Sequence, residues 1–216
     1  MRVWVGALLL LITSQIIGQP LQVYTHPKKG FRIATPGTWK PDTSNPDLLV
    51  EFITPDDTSF YLSVAYEPVP FATPSRFLYN TAIDNFLREF RKVLAQELKI
   101  KPEQIVEIGR NIHKVGTLSV ATLDVRAPTR DDWVFRARVR LVIADQGLYA
   151  ISFTGDEEEF QQNEALVNQI LGSFQPKNPQ HPPFSTRALW MALGAACISG
   201  VLFTGLILLL VRKLSR

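Results

Sequence analysis

Three arginines alternate with apolar residues in one short stretch: Arg136, Arg138 and Arg140 within Trp133–Ala144. Trp133, Phe135, Ala137, Val139, Leu141 and Ile143 occupy the intervening places. In a strand, this period of two puts the arginines on one face at about 7 Å intervals and the apolar set on the other. Arg126 on the preceding segment and Arg130 in the loop extend the row. Like charges on one face repel unless something answers them. Two readings stay open. In one, the face is solvated and acidic residues of neighbouring strands, such as Glu51, Glu67, Glu107 or Asp124, balance it. In the other, Arg126, Arg136, Arg138 and Arg140 form an anionic docking surface for a partner protein or lipid headgroups. On the docking reading, charge reversal at Arg138 abolishes partner binding without lowering thermal stability.

Other chemistry is thinly represented. There is no Gly-x-Ser-x-Gly nucleophile turn and no glycine-rich phosphate loop. The one cysteine, Cys197, lies inside a long apolar run, which excludes an intramolecular disulfide and favours packing over lipidation. His26, His113 and His181 are scattered without metal-ligand spacing. Asp56-Asp57 and Asp131-Asp132 sit where turns are expected, and turns favour Asp. The acidic run Asp156–Glu159 reads as helix-start electrostatics, with Asp156 and Glu159 in a capping-box spacing; a hard-cation site is the alternative. No catalytic residue, cofactor or metal is therefore expected.

The formal charge is +3 over 216 residues, yet its distribution argues against nucleic acid. All 20 acidic residues lie between positions 19 and 187, with 19 of the 23 basic ones. The excess belongs to Arg2, Arg212, Lys213 and Arg216, which flank the apolar ends.

Those ends set the expected organisation. Residues 1–18 read as a secretory signal peptide: Arg2, then apolar Val3–Ile12, with cleavage after Gly18. An uncleaved N-terminal anchor is the alternative. Residues 188–211 are 24 uncharged residues, long enough at about 36 Å to span a bilayer. Arg212, Lys213 and Arg216 then place the 212–216 tail in the cytoplasm and residues 19–174 outside it, in a periplasmic, extracellular or lumenal space. The lack of disulfides and of Asn-x-Ser/Thr acceptors suits a bacterial or organellar compartment. Ala188, Ala192, Ala196, Gly200 and Thr204 recur every fourth position, and Ala192, Ala196, Gly200 and Thr204 form a candidate helix-packing face for a partner or a second copy. The frequency of small residues in membrane helices explains the same pattern without a partner. Residues 175–187, with Pro176, Pro179, Pro182 and Pro183, read as a semi-rigid spacer.

Between the ends, period-two segments predict strands at Leu21–Thr25, Phe31–Thr35, Leu48–Thr54, Phe60–Tyr66, Ile105–Ile112, Thr117–Arg126, Trp133–Ala144 and Leu148–Phe153. Phe77, Leu78, Ala82, Ile83, Phe86, Phe90, Val93 and Leu94 predict a long helix from about Pro74 to Leu98, with Thr73 as cap. Phe160, Leu166, Val167, Ile170 and Leu171 predict a final helix. The class is α+β: an antiparallel β-sheet flanked by helices, plus one C-terminal transmembrane helix.

Tyr24, Gly30-Phe31-Arg32-Ile33, Pro36 and Trp39 resemble the opening of PsbP-like domains. Gly147-Leu148-Tyr149-Ala150-Ile151-Ser152-Phe153 and Ile170-Leu171-Gly172-Ser173-Phe174 resemble their ending, so the similarity covers about residues 22–175. The resemblance implies an α/β/α sandwich and a mostly non-catalytic superfamily of accessory and binding proteins. The photosystem member is a soluble peripheral subunit, whereas this chain carries an added membrane anchor. The expected function is a membrane-anchored, non-enzymatic accessory module that docks to a protein in a membrane complex. The alternatives are a sensor or small-ligand-binding domain and an envelope enzyme. A cavity of several hundred Å³ with convergent polar groups favours either alternative; a filled core with a flat charged face favours the module.

Overall fold

The computed structural model describes residues 20–55, 59–68, 76–129, 133–145 and 147–178. The expected signal peptide and transmembrane segment lie outside the described residues, as does most of the spacer. Among the described residues, no helix is long and apolar enough to cross a membrane.

Strands β1 (Leu21–Thr25) and β2 (Arg32–Pro36) form a hairpin. Then come β3 (Lys40–Asp42), β4 (Val50–Ile53), β5 (Tyr61–Pro68) and helix α1 (Arg76–Leu98). A 3-10 turn (Pro102–Gln104) leads to β6 (Val106–Val115), β7 (Leu118–Pro128), β8 (Val134–Ala144) and β9 (Gly147–Asp156). Helices α2 (Glu157–Gln162) and α3 (Glu164–Gly172) complete the domain. The main sheet is antiparallel, in the order β3-β4-β5-β9-β8-β7-β6.

Both faces of this sheet are covered, which makes three layers. On one face, Ile83, Phe86, Phe90 and Leu94 of α1 pack on Leu123, Val125, Phe135, Ala137, Val139 and Leu141. This is the apolar set that the alternation of β8 predicts. On the other face, Phe31 and Ile33 of the hairpin and Phe160, Val167, Ile170 and Leu171 of α2 and α3 pack on Leu62, Val64, Tyr149, Ile151 and Phe153. The wet face expected for the arginines is thus roofed over. Sequence alternation shows β8 as half polar, but the roof comes from elements distant in the chain.

Several boundaries differ for physical reasons. β3 contains Pro41, which reads as a break; β3 is the outermost strand, and edge strands tolerate proline because one side of their backbone needs no partner. The last helix is two, because Asn163 leaves helical geometry (φ −111°, ψ 19°) and turns its side-chain Nδ2 back to the Glu159 carbonyl at 3.0 Å. Asp156 caps α2 as expected, accepting from the backbone N of Glu158 at 2.9 Å. Glu159 does not close the capping box. Its carboxylate instead accepts from the Ser59 backbone N at 2.9 Å and from the Ser59 hydroxyl, locking the β4–β5 loop to the helix start.

Candidate docking face

Strand register puts all four arginines on one face, beneath α2 and α3. Arg126 of β7 lies directly opposite Arg136 of β8, and Asp124 opposite Arg138. Two guanidinium groups facing each other across a ladder are destabilising unless bridged. Glu157, in the first turn of α2, is the bridge: Oε2 lies 2.7 Å from Arg126 Nη2, and Oε1 lies 3.8 Å from Arg136 Nη1. The Arg136 and Arg138 guanidiniums also lie over the buried Phe160 ring, 5.0 and 5.5 Å from its centroid.

Arg138 is the most enclosed of the four, at 8% exposure. Nε donates to Asp124 Oδ1 at 2.7 Å, Nη1 to Asn168 Oδ1 at 2.6 Å, and Nη2 to Glu164 Oε1 at 2.9 Å. Burial opposes its charge, but the bonds to Asp124 and Glu164 outweigh that and hold its pKa above the ordinary value. It is an internal strut joining the sheet to α3, which corrects its place in the expected docking face.

Of the four neighbouring acids expected to balance the row, only Asp124 shares its face. Glu107 lies opposite Val125, Glu51 opposite Ser63 and Glu67 opposite Leu148, on the α1 side. Glu107 pairs with Arg110, and Glu51 accepts from the Tyr61 hydroxyl. The acids that answer the row, Glu157 and Glu164, sit on the returning helices. The signal for Glu157 was the acidic run itself, which begins opposite the start of β8, where Phe135 pairs with Asp156; Glu164 lies outside that run.

Arg140 differs. No carboxylate among the described residues meets it, and its Nε is buried without a hydrogen-bond partner. Burial pulls its pKa below the ordinary value. Nη1 lies beside the last turn of α3, 4.0 Å from where a Cβ on Gly172 would sit. In register it continues through Thr122 to Asn111 on edge strand β6, and Asn111 is exposed. The next residue on that face of β6, His113, has a buried Nδ1 with no partner. The row thus runs from neutralised charge at Arg126, Arg136 and Arg138 to unanswered charge at Arg140, next to an open sheet edge.

A groove of about 560 Å³ between α1 and β6 is lined by Asp84, Leu87, Arg88, Arg91, Glu107 and Arg110, among others. Arg110 Nη1 meets Asp84 at 2.7 Å and its Nε meets Glu107 at 2.6 Å; these bonds, that from Glu107 foremost, raise its pKa. Arg91 Nε donates to the Ile105 carbonyl at 3.0 Å. The groove has the volume of a ligand site, but these side chains close on themselves. His26 is buried within the hairpin turn: Nε2 donates to the Leu49 carbonyl at 3.1 Å, and Nδ1 accepts from Lys29 N at 3.0 Å. Burial, and the nearby Lys28 and Lys29, push its pKa down. Among the described residues, no three His, Cys, Asp or Glu side chains gather to hold a metal. His181, Asp56-Asp57, Asp131-Asp132, Arg130 and Cys197 lie outside the described residues.

Glu67, at the end of β5, is half-buried, and its Oε2 has no hydrogen-bond partner. Burial raises its pKa. A carboxyl with a raised folded-state pKa binds its proton more tightly when folded. Stability is then complete below the unfolded pKa and declines as pH rises toward the folded one. Glu67→Gln is therefore expected to raise the melting temperature by a few degrees at pH 7 and to leave it unchanged at pH 4. Thermal scans at both pH values check this.

No protein-family model matches the chain, and no curated protein matches it in sequence. Solved structures do. The solution structure of cyanobacterial PsbP from Synechocystis sp. PCC 6803 superposes with a TM-score of 0.59 at 18% identity, covering 77% of this chain and 98% of that one. The fold is PsbP-like. A Bacteroides thetaiotaomicron protein (TM-score 0.41, 12% identity, 68% of this chain and 45% of that one) and PA94 of Pseudomonas aeruginosa (0.40, 11%, 73% and 97%) are more distant. The likeness to cyanobacterial PsbP extends over nearly the whole of that protein.

Proposed function

We propose that the chain is a membrane-anchored, non-enzymatic accessory module whose PsbP-like domain docks to a protein outside the cytoplasm. The observation that carries this reading is Arg140, a largely buried guanidinium that meets no carboxylate among the described residues, at the open end of a row that is otherwise neutralised. A desolvated, unpaired charge is costly to keep inside a folded domain. A carboxylate supplied by a partner at the β6–α3 margin relieves that cost and gives the interface its register. The packed clusters on both sheet faces leave the domain a scaffold for such a surface. The uncharged run Ala188–Val211 supports membrane attachment, and its small-residue face, Ala192, Ala196, Gly200 and Thr204, offers a second contact with a partner helix or a second copy.

The test uses two chains, the full one and one ending at Arg187, each expressed in its own host and recovered after membrane fractionation. The full chain is expected to resist carbonate extraction, and in mild detergent to leave the membrane with a second polypeptide in constant ratio. The shorter chain is expected in the soluble fraction. A full chain that carbonate releases, or one that leaves the membrane alone, contradicts the reading.

A further inference from the structure

The chain leaves the domain at a fixed point. Arg32 and Gln175 exchange backbone hydrogen bonds of 2.8 and 2.9 Å, and the Asn178 backbone N donates to Asp145 Oδ1 at 2.7 Å. The first four residues of the expected spacer are thus stitched to the domain, at the end that carries the β1–β2 and β8–β9 turns. Lys177 lies across Gly30 of the first turn, its Cδ 2.9 Å from where a Cβ on Gly30 would sit. Gly30 has φ +71°, a conformation glycine adopts freely and other residues only with strain, so glycine suits the turn that Lys177 crosses.

Three lysines meet at this end. Lys28 and Lys177 are exposed, and Lys29 Nζ sits 3.6 Å from the Tyr66 ring centroid. No carboxylate among the described residues pairs with any of them. The buried His26 ring fixes the turn that presents Lys28 and Lys29 by accepting both of their backbone N–H groups, at 3.3 and 3.0 Å. Nine residues, 179–187, separate Asn178 from the apolar run that begins at Ala188. Even fully extended, they span at most about 32 Å.

We infer that this end of the domain docks on anionic lipid headgroups of the bilayer that holds the chain's own apolar run, through Lys28, Lys29 and Lys177. The inference rests on the anchor reading above. Three lysines alone attract an anionic surface only weakly. The short tether makes the encounter intramolecular, and the high effective concentration turns a weak attraction into a populated contact. Arg140, by contrast, lies toward the β6 margin of the sheet and stays available for a protein.

The experiment places the full chain in nanodiscs of phosphatidylcholine alone, or with phosphatidylglycerol at about one part in three, and follows amide hydrogen exchange. In the anionic discs, the amides of Lys28, Lys29, Gly30 and Asn178 are expected to exchange about tenfold more slowly than in the neutral discs. The difference is expected to vanish in a Lys28→Glu, Lys177→Glu variant whose β8 amides remain as protected as in the wild type. Equal exchange in the two lipids by a chain that has entered the discs overturns the inference and leaves the anchor reading standing. A chain that stays out of the discs overturns both.

Discussion

Arg138→Met is expected to destabilise the domain by about 3 kcal/mol, because removing one partner of a buried ion pair strands the other. The three guanidinium bonds to Asp124, Asn168 and Glu164 disappear together. Asp124, largely buried, then keeps only Arg136, at 3.9 Å, as a cationic neighbour among the described residues. In a domain of this size the loss appears as a fall in melting temperature of about 10 °C. Adding Asp124→Leu to the same chain is expected to recover part of the loss, since a buried pair replaced whole by apolar groups costs less than a pair broken. Thermal or denaturant unfolding of the two single variants and the double one checks both statements. Additivity of the two substitutions contradicts the strut described here.

At Arg138 this outcome agrees with the reading in which acids such as Asp124 balance the row, and not with the docking reading. The alternation in Trp133–Ala144 correctly put Phe135, Ala137, Val139, Leu141 and Ile143 on one apolar face, which the structure packs beneath α1. It also correctly put Arg136, Arg138 and Arg140 together on the other face. Alternation says what a strand presents, not what lies above it. The cover comes from Phe160, Val167 and Ile170, whose helical spacing was legible as an inner stripe with no indication of which sheet face it meets. Similarly, Glu157 and its acidic neighbours were legible as charges at a helix start, whereas Glu164 was not singled out. Their partners were not legible, because a pairing between helix and sheet depends on the path of the chain after β9. The β3 edge strand was missed for the opposite reason: Pro41 is a local breaker that only its outermost position excuses.

Arg140→Met is expected to behave in the opposite way. No ion pair among the described residues is lost with it, and a desolvated charge is removed, so the melting temperature stays at or above that of the wild type. On the proposed docking, the variant loses the guanidinium that a partner carboxylate would meet. Truncating one member of a buried interfacial charge pair costs about 2–5 kcal/mol, so partner affinity is expected to fall by at least about thirtyfold. A residue kept for packing gives a different pattern, in which stability falls and binding follows it down. A residue kept for binding separates the two readouts, because its cost to the isolated domain is repaid only in the complex.

The direct test is therefore one purification in mild detergent of the full chain, as wild type and as Arg140→Met, with the co-purifying polypeptide quantified and the melting temperature measured on the same samples. The account predicts a second polypeptide with the wild type, its loss from the variant, and a melting temperature in the variant no lower than in the wild type. A variant that keeps its partner in full, or one that loses it only because the domain has unfolded, contradicts the assignment of Arg140 as the docking charge.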